Sequence, residues 1–210
     1  MRTIVVVLCY GVFDANWRTP AEMAGYRLYL RDVAETIRGE IINKSEVTVL
    51  ISGGVTANNK IEATTVKRQI ALNLCEMASE VEEWILEDRS LTTPANIWES
   101  FRIINEKLAE IDSHYRILIT CDIPRKYKVQ WLIKKWYARA KKLDRQGCHW
   151  SSSNLRCLLS WPEAEVIALY RPDISPKSTC SFQWLETQIL KVSPPILNDR
   201  IGMLRPIETT

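Results

Sequence analysis

The chain has 210 residues, 46% of them hydrophobic and 25% charged, with 28 Lys and Arg against 25 Asp and Glu. That composition suits one α/β domain of ordinary size and excludes a disordered, fibrous or repeat protein. The net charge of +3 creates no need for nucleic acid or a membrane surface as partner.

Arg2 and the apolar run from Thr3 to Phe13 imitate a short secretory leader. The run holds Tyr10 and Gly11, reaches Asp14 and Asn16 quickly and lacks a small-residue cleavage site, so it reads as a strand. No other segment approaches the roughly 18 to 20 apolar residues that span a bilayer. A cytoplasmic protein without a membrane span is expected.

Ile4 to Leu8 is continuously apolar and β-branched, the pattern of a strand buried on both faces of a parallel sheet. Val47 to Ile51, Trp84 to Leu86 and Ile117 to Ile119 repeat it. Between these runs, apolar residues recur every three or four positions, as on one face of a helix. The stripes are Met23, Tyr26, Leu30, Val33, Ile37; then Ala63, Val66, Ile70, Leu74, Met77; then Ile97, Phe101, Ile104, Leu108, Ile111. A fourth stripe, Val129, Leu132, Trp136, Ala140 and Leu143, follows the last strand. This alternation predicts a Rossmann-like, doubly wound, mainly parallel α/β sheet with helices on both faces. The core is assigned to residues 1–146, and 147–210 form a C-terminal elaboration packed on the same domain. There, Ser160-Trp161-Pro162-Glu163 has the form of a capping box and predicts a short helix to about Tyr170. Phe182, Leu185 and Ile189 suggest one more helix.

The six cysteines include no CxxC pair and read as idle thiols in a reducing compartment. Cys148, His149, Cys157 and Cys180 match no standard zinc spacing, and no metal site is assigned.

In open α/β sheets, ligands bind outside the carboxyl ends of the strands. The residues that follow each strand are polar. Tyr10, Gly11, Asp14 and Asn16 follow the first; Ser52, Gly53 and Gly54 follow the second, with Glu62 in the next helix. Glu87, Asp88, Ser90, Thr92, Thr93 and Asn96 follow the third, and Thr120, Cys121, Asp122 and Arg125 the fourth. Two glycines let backbone amides approach a ligand, and the following helix start favours an anion. A tight turn with no ligand would need the same glycines. Ser90 or Thr93 can cap the helix that begins at Pro94, while Glu87 either accepts from loop amides or holds a ligand hydroxyl or amine.

The order of these motifs, a glycine after the first strand, Ser52-Gly53-Gly54, Glu62-Ala63, Glu87-x-x-Ser90-x-x-Thr93-x-x-Asn96 and a strand ending in Thr120, resembles the domain of unknown function 218 family, the SanA/YdcF/ElyC-like proteins. The resemblance covers roughly residues 3–145. It implies a Rossmann-like fold with the motifs at the carboxyl edge and a link to bacterial cell-envelope functions. This chain departs from the family after the fourth strand, where Pro124 stands in place of a histidine and Arg125 or Lys128 in place of an arginine. Thr92 and Ala95 replace a family asparagine and glutamate. A family arginine of the first helix corresponds to Arg27 or Arg31.

The expected site therefore comprises Gly11, Ser52, Gly53, Gly54, Glu62, Glu87, Ser90, Thr93, Asn96, Thr120 and Arg125, holding a small anionic or nucleotide-like ligand. A nucleotide, an adenosyl-type compound or an envelope-precursor phosphate are the candidates. Without a histidine in the site, acid/base catalysis loses its usual proton carrier near neutral pH. His114 and His149 read as ordinary residues away from it. A second reading is a hydrolase or transferase using Glu62, Glu87 or Asp122 on a phosphorylated, glycosidic or envelope-precursor substrate, and a third is a non-catalytic interaction protein. A basic run, Arg125, Lys126, Lys128, Lys134, Lys135, Arg139, Lys141, Lys142 and Arg145, is interleaved with Trp131, Trp136 and Tyr137. Trp136 belongs to the core stripe and outer lysines ordinarily meet water, so nucleic acid is not the expected partner.

Overall fold

The computed structural model describes residues 2–11, 13, 19–57, 59–108, 115–145 and 165–169. In chain order the elements are β1 (Arg2–Leu8), α1 (Pro20–Ile42), β2 (Glu46–Ser52), β3 (Val55–Ala57), β4 (Lys60–Ile61), α2 (Glu62–Leu74), β5 (Glu83–Glu87), α3 (Thr93–Leu108), β6 (Tyr115–Asp122), α4 (Lys126–Arg145) and β7 (Glu165–Leu169). Short 3-10 segments, Cys75–Glu80 and Ile123–Arg125, follow α2 and precede α4.

The main sheet has the strand order β5-β2-β1-β6-β7, with every neighbouring pair parallel. This is the expected Rossmann-like α/β architecture. Side chains of β1 and of Cys9 just after it alternate between two cores: Val5, Val7 and Cys9 pack with α1 and α2, while Ile4, Val6 and Leu8 pack with α3 and α4. A strand covered on both faces has no polar side, which is why Ile4 to Leu8 is continuously apolar. On α1, Tyr26, Tyr29, Leu30, Val33 and Ile37 are fully buried, each contributing on the order of 1.5 to 3 kcal/mol of transfer free energy. The helix starts where Thr19 accepts from the Glu22 amide and Glu22 reaches back to the Thr19 amide, with Pro20 in the first turn.

Four expectations need correction. The segment to Tyr170 was expected to be helical, yet Glu165–Leu169 is the strand β7, paired with Leu118 to Asp122 of β6. Val166-Ile167-Ala168-Leu169 is an apolar run that completes an open parallel edge, and that pairing outweighs the local helix signal. Trp84 to Leu86 was expected to be buried on both faces, but among the described residues β5 is an edge strand bonded only to β2, and Leu86 is 37% exposed. The ammonium of Lys67 lies 5.6 Å from the Trp84 ring centroid. Between Gly54 and Glu62, where a single turn was expected, β3 and β4 form an antiparallel hairpin. Finally, α2 stops at Leu74: Cys75 has φ 55°, so Met77 falls in the 3-10 segment.

Asp14, Asn16, His114 and Ile111 lie outside the described residues, as do the helix expected around Phe182 and the Cys148, His149, Cys157 and Cys180 group. Among the described residues, no helix is long and apolar enough to cross a membrane. The chain builds β1, β2 and β5 outward in one direction and then returns to lay β6 and β7 on the other side of β1. The strand order therefore reverses between β1 and β6, the place where sheets of this kind open a crevice.

Candidate functional site

At the carboxyl ends of these strands lies a cavity of about 240 Å³. Cys9, Tyr10 and Gly11 line it after β1, and Glu62 at the start of α2. Ser90, Leu91 and Thr92 reach it from the β5–α3 connection, Thr93 and Asn96 from the start of α3, and Arg125 from the 3-10 segment ahead of α4. Of the eleven expected site residues, Gly11, Glu62, Ser90, Thr93, Asn96 and Arg125 line this cavity. Ser52, Gly53, Gly54, Glu87 and Thr120 stand behind the lining, and each has an assignable task there.

The two glycines are needed for close packing. A Cβ on Gly53 would come within 2.5 Å of Cys9 Cβ and 2.9 Å of the Glu62 carboxylate. A Cβ on Gly54 would come within 2.7 Å of the Ser90 carbonyl oxygen and 2.8 Å of that of Asp88. Their amides do not project toward a ligand. Gly53 N–H donates to Glu87 O at 3.0 Å and Gly54 N–H to Ser90 O at 2.7 Å. Their carbonyls accept the first amides of α2, those of Ala63 and Glu62, each at 3.0 Å. The anion-cradling role expected of these glycines is thus corrected: the turn splices β2, the β5–α3 connection and α2 together.

Glu87 resolves into the first of its two readings. One carboxylate oxygen accepts the amides of Arg89 at 2.7 Å and Ser90 at 2.9 Å, and the other accepts the Ser52 hydroxyl. It shapes the connection that carries Ser90 to Thr93. Neither Ser90 nor Thr93 caps α3 through its side chain; Thr92 Oγ1 accepts the Ala95 amide at 3.3 Å. Thr120 spends its hydroxyl on the Val6 carbonyl at 3.2 Å.

Arg125 is buried and clamps two strand ends together. Its Nε pairs with the Asp122 carboxylate, Nη1 donates to Cys9 O at 2.7 Å, and Nη2 to Leu8 O at 3.1 Å. Its guanidinium carbon lies 5.3 Å from the Tyr10 ring centroid. Burial opposes the charge most strongly, but the Asp122 carboxylate together with Tyr29 and Cys121 outweighs burial and holds the guanidinium above its ordinary pKa. Elsewhere in the cavity wall, buried Glu62 accepts the Gly11 amide at 3.1 Å, with Gly11 at φ 80°. Gly11 therefore occupies a conformation that L side chains rarely adopt. Cys9 is also buried in this wall. Burial first, then the negative Glu62, pushes its thiol pKa well above the ordinary value, so it stands as a neutral thiol.

Two lining residues carry buried polar atoms without a hydrogen-bond partner: Ser90 Oγ and Asn96 Oδ1. Asn96 Nδ2 donates to the Ser52 carbonyl at 3.1 Å, and that oxygen also accepts the Cys9 amide at 3.0 Å. Turning the amide around would set oxygen against oxygen, so Oδ1 is necessarily the unpaired atom.

Cys9 and Leu91 belong to the lining although no role was expected of them, Tyr10 and Thr92 join it from the polar residues that follow the strands, and behind the lining α1 contributes tyrosines rather than arginines. Tyr26 Oη accepts the Tyr10 amide at 3.2 Å and donates to Gly11 O at 3.0 Å, while Tyr29 Oη donates to Leu8 O at 3.2 Å. Their signal was present: two tyrosines on the buried face of α1 need polar partners at the strand ends. Arg27 and Arg31 are exposed and outside the lining. The basic run is also divided, since Arg125 and Lys128 are buried and the Lys135 ammonium lies 5.1 Å from the Trp131 ring centroid. No family model, no curated protein and no solved structure matches the chain.

Proposed function

We propose that this chain is a small-molecule binding protein, with its ligand, a compact nucleotide-like or sugar-like compound, held at the β1/β6 end of the sheet. The observation that carries this reading is the pairing of a cavity at the strand-order reversal with unpartnered polar atoms on two of its lining residues, Ser90 and Asn96. Buried polar groups in folded proteins are nearly always satisfied, and an exception at a cavity wall fits a bound group. The volume, about 240 Å³, falls just below the ~300 to 1,000 Å³ of drug-sized pockets, which favours a ligand smaller than a dinucleotide.

Binding is favoured over catalysis by the state of the reactive groups. Glu87 is occupied by the loop, Asp122 by Arg125, and the Cys9 thiol is protonated. Membership of the domain of unknown function 218 family is part of the same proposal, carried by the sequence pattern at Gly53, Gly54, Glu62, Glu87, Ser90, Thr93 and Asn96. So is a cytoplasmic location, which the free thiols of Cys9, Cys75 and Cys121 support. A thermal-shift screen of nucleosides, nucleotides and sugars tests the binding reading. A ligand at a hundred times its Kd adds about 2.7 kcal/mol and raises Tm, and a screen in which no compound moves Tm would count against it.

A further inference from the structure

The start of α3 forms a run of hydrogen-bond donors along the cavity wall. Thr92 caps the helix: its Oγ1 takes the Ala95 amide at 3.3 Å and its carbonyl the Asn96 amide at 2.8 Å. Leu91, Thr92 and Thr93 are three successive lining residues whose own amides meet no acceptor among the described residues. A helix start leaves such N–H groups unpaired and carries the positive end of the backbone dipole, and so favours an anion. A second and independent sign is the side chain beside them. Ser90 is 3% exposed and lines the same cavity, and its Oγ has no hydrogen-bond partner. A buried hydroxyl left unpaired is costly, and a ligand oxygen at the helix start would relieve it. Arg125 brings a buried cation to the lining. Its bonds to Asp122, Cys9 and Leu8 use Nε and one N–H of each terminal nitrogen, and each terminal nitrogen carries a second.

We infer that the start of α3 is an anion subsite, in which the amides of Leu91, Thr92 and Thr93 and the Ser90 hydroxyl donate to the oxygens of a phosphate monoester. This rests on the binding function proposed above and names the group by which the ligand is held. A phosphate offers more acceptor oxygens than a carboxylate, which suits this number of donors. Asn96 Oδ1, unpaired and able only to accept, calls for an O–H or N–H on the neutral part of the same ligand. Glu62 also lines the cavity and belongs beside that neutral part, because two like charges in contact oppose each other. A sugar or nucleoside monophosphate carries both chemistries in one small molecule.

The test is titration calorimetry of the full chain with three matched pairs: ribose and ribose 5-phosphate, glucosamine and glucosamine 6-phosphate, adenosine and AMP. The expected result is that the phosphate ester of at least one pair binds, and binds about tenfold or more tighter than its unphosphorylated partner. If compounds bind but no ester has that advantage, the anion subsite is overturned while the binding function stands. If none of the six binds, the binding function itself fails and the subsite with it. Ser90→Ala locates the phosphate, because the Ser90 hydroxyl has no protein partner and its loss should leave Tm unchanged or raise it. The preferred ester should bind this variant about tenfold more weakly, the equivalent of one hydrogen bond to a charged group. Its unphosphorylated partner, where it binds, should keep its affinity. An unchanged ester affinity in a folded Ser90→Ala, or an equal loss for both members of the pair, would overturn the placement at the start of α3.

Discussion

Gly54 and Glu87 show how a residue that looks like a ligand contact can instead hold up the wall behind one. A methyl group on Gly54 would press on two backbone carbonyl oxygens, neither of which can swing away as a side-chain end would. Gly54→Ala is therefore expected to lower stability by roughly 1 to 3 kcal/mol, the cost of overpacking. The measurement is the urea midpoint at constant m; an unchanged midpoint would show that the loop moves freely. Glu87→Gln keeps the shape but sets an NH2 group where a carboxylate oxygen accepts the Ser52 hydroxyl or the amides of Arg89 and Ser90. A loss of roughly 2 to 3 kcal/mol is expected, again read from denaturation; a variant as stable as the parent would contradict this supporting role. The sequence marked both residues as special but could not assign their tasks. A Gly-Gly turn cradling an anion and one squeezed between two loops require the same absence of Cβ. Only the destinations of the amides distinguish them, and those are long-range.

At the level of elements, legibility followed burial. β1 and β2 are enclosed by helices on both faces, which leaves β1 an unbroken apolar run from Ile4 to Leu8 and β2 one from Val47 to Ile51 broken only by Thr48. β5 and β7 are edges, and an edge strand of five residues carries too short and mixed a pattern to reveal its neighbour. Glu165–Leu169 was misread because a helix start is encoded locally, whereas a parallel strand is defined by a partner more than forty residues away in sequence, as the Thr120 to Ile167 pairing shows. The start of α1 is the opposite case, with Thr19, Pro20 and Glu22 all within one turn. Thr19→Ala removes the side-chain half of that reciprocal cap and is expected to cost about 1 kcal/mol, seen as a small drop in the denaturant midpoint. Thr19→Ser should restore most of it, and failure to do so would place the effect outside the cap.

For the molecule as a whole, the buried ends of the strands set its tolerance of alkali. Burial pushes the Cys121 thiol from its ordinary 9.0 up to about 12 and raises Cys9 and the Tyr29 hydroxyl as well. In the unfolded chain these groups ionise near their ordinary values, so above about pH 9 the unfolded state sheds protons that the native state retains. A raised folded pKa gives stability that is complete below the unfolded value and lost as pH climbs toward the folded one. Stability should therefore fall from about pH 9 upward, with a slope of at most ~1.4 kcal/mol per pH unit for each group. Denaturation series at pH 8, 9, 10 and 11 would show it, and Cys121→Ala should flatten the decline; an equally steep decline in that variant would assign it elsewhere. The same burial predicts that a thiol reagent modifies exposed Cys75 well before Cys9 or Cys121.

Arg125 gives the crevice a property that none of its walls has alone. Where a sheet reverses its strand order, the chains leaving two neighbouring strands part company, and the gap between them is a natural place for the sheet to gape. Here one side chain closes that seam, fastened to Leu8 and Cys9 on one strand's exit and to Asp122 on the other's. Since a guanidinium does not lose its proton under conditions a protein survives, the clasp keeps its charge and its donors to the Leu8 and Cys9 carbonyls. Variation of ligand affinity with pH would then report the ionisation of the ligand or of a group lining the cavity, and not the loss of the guanidinium's charge.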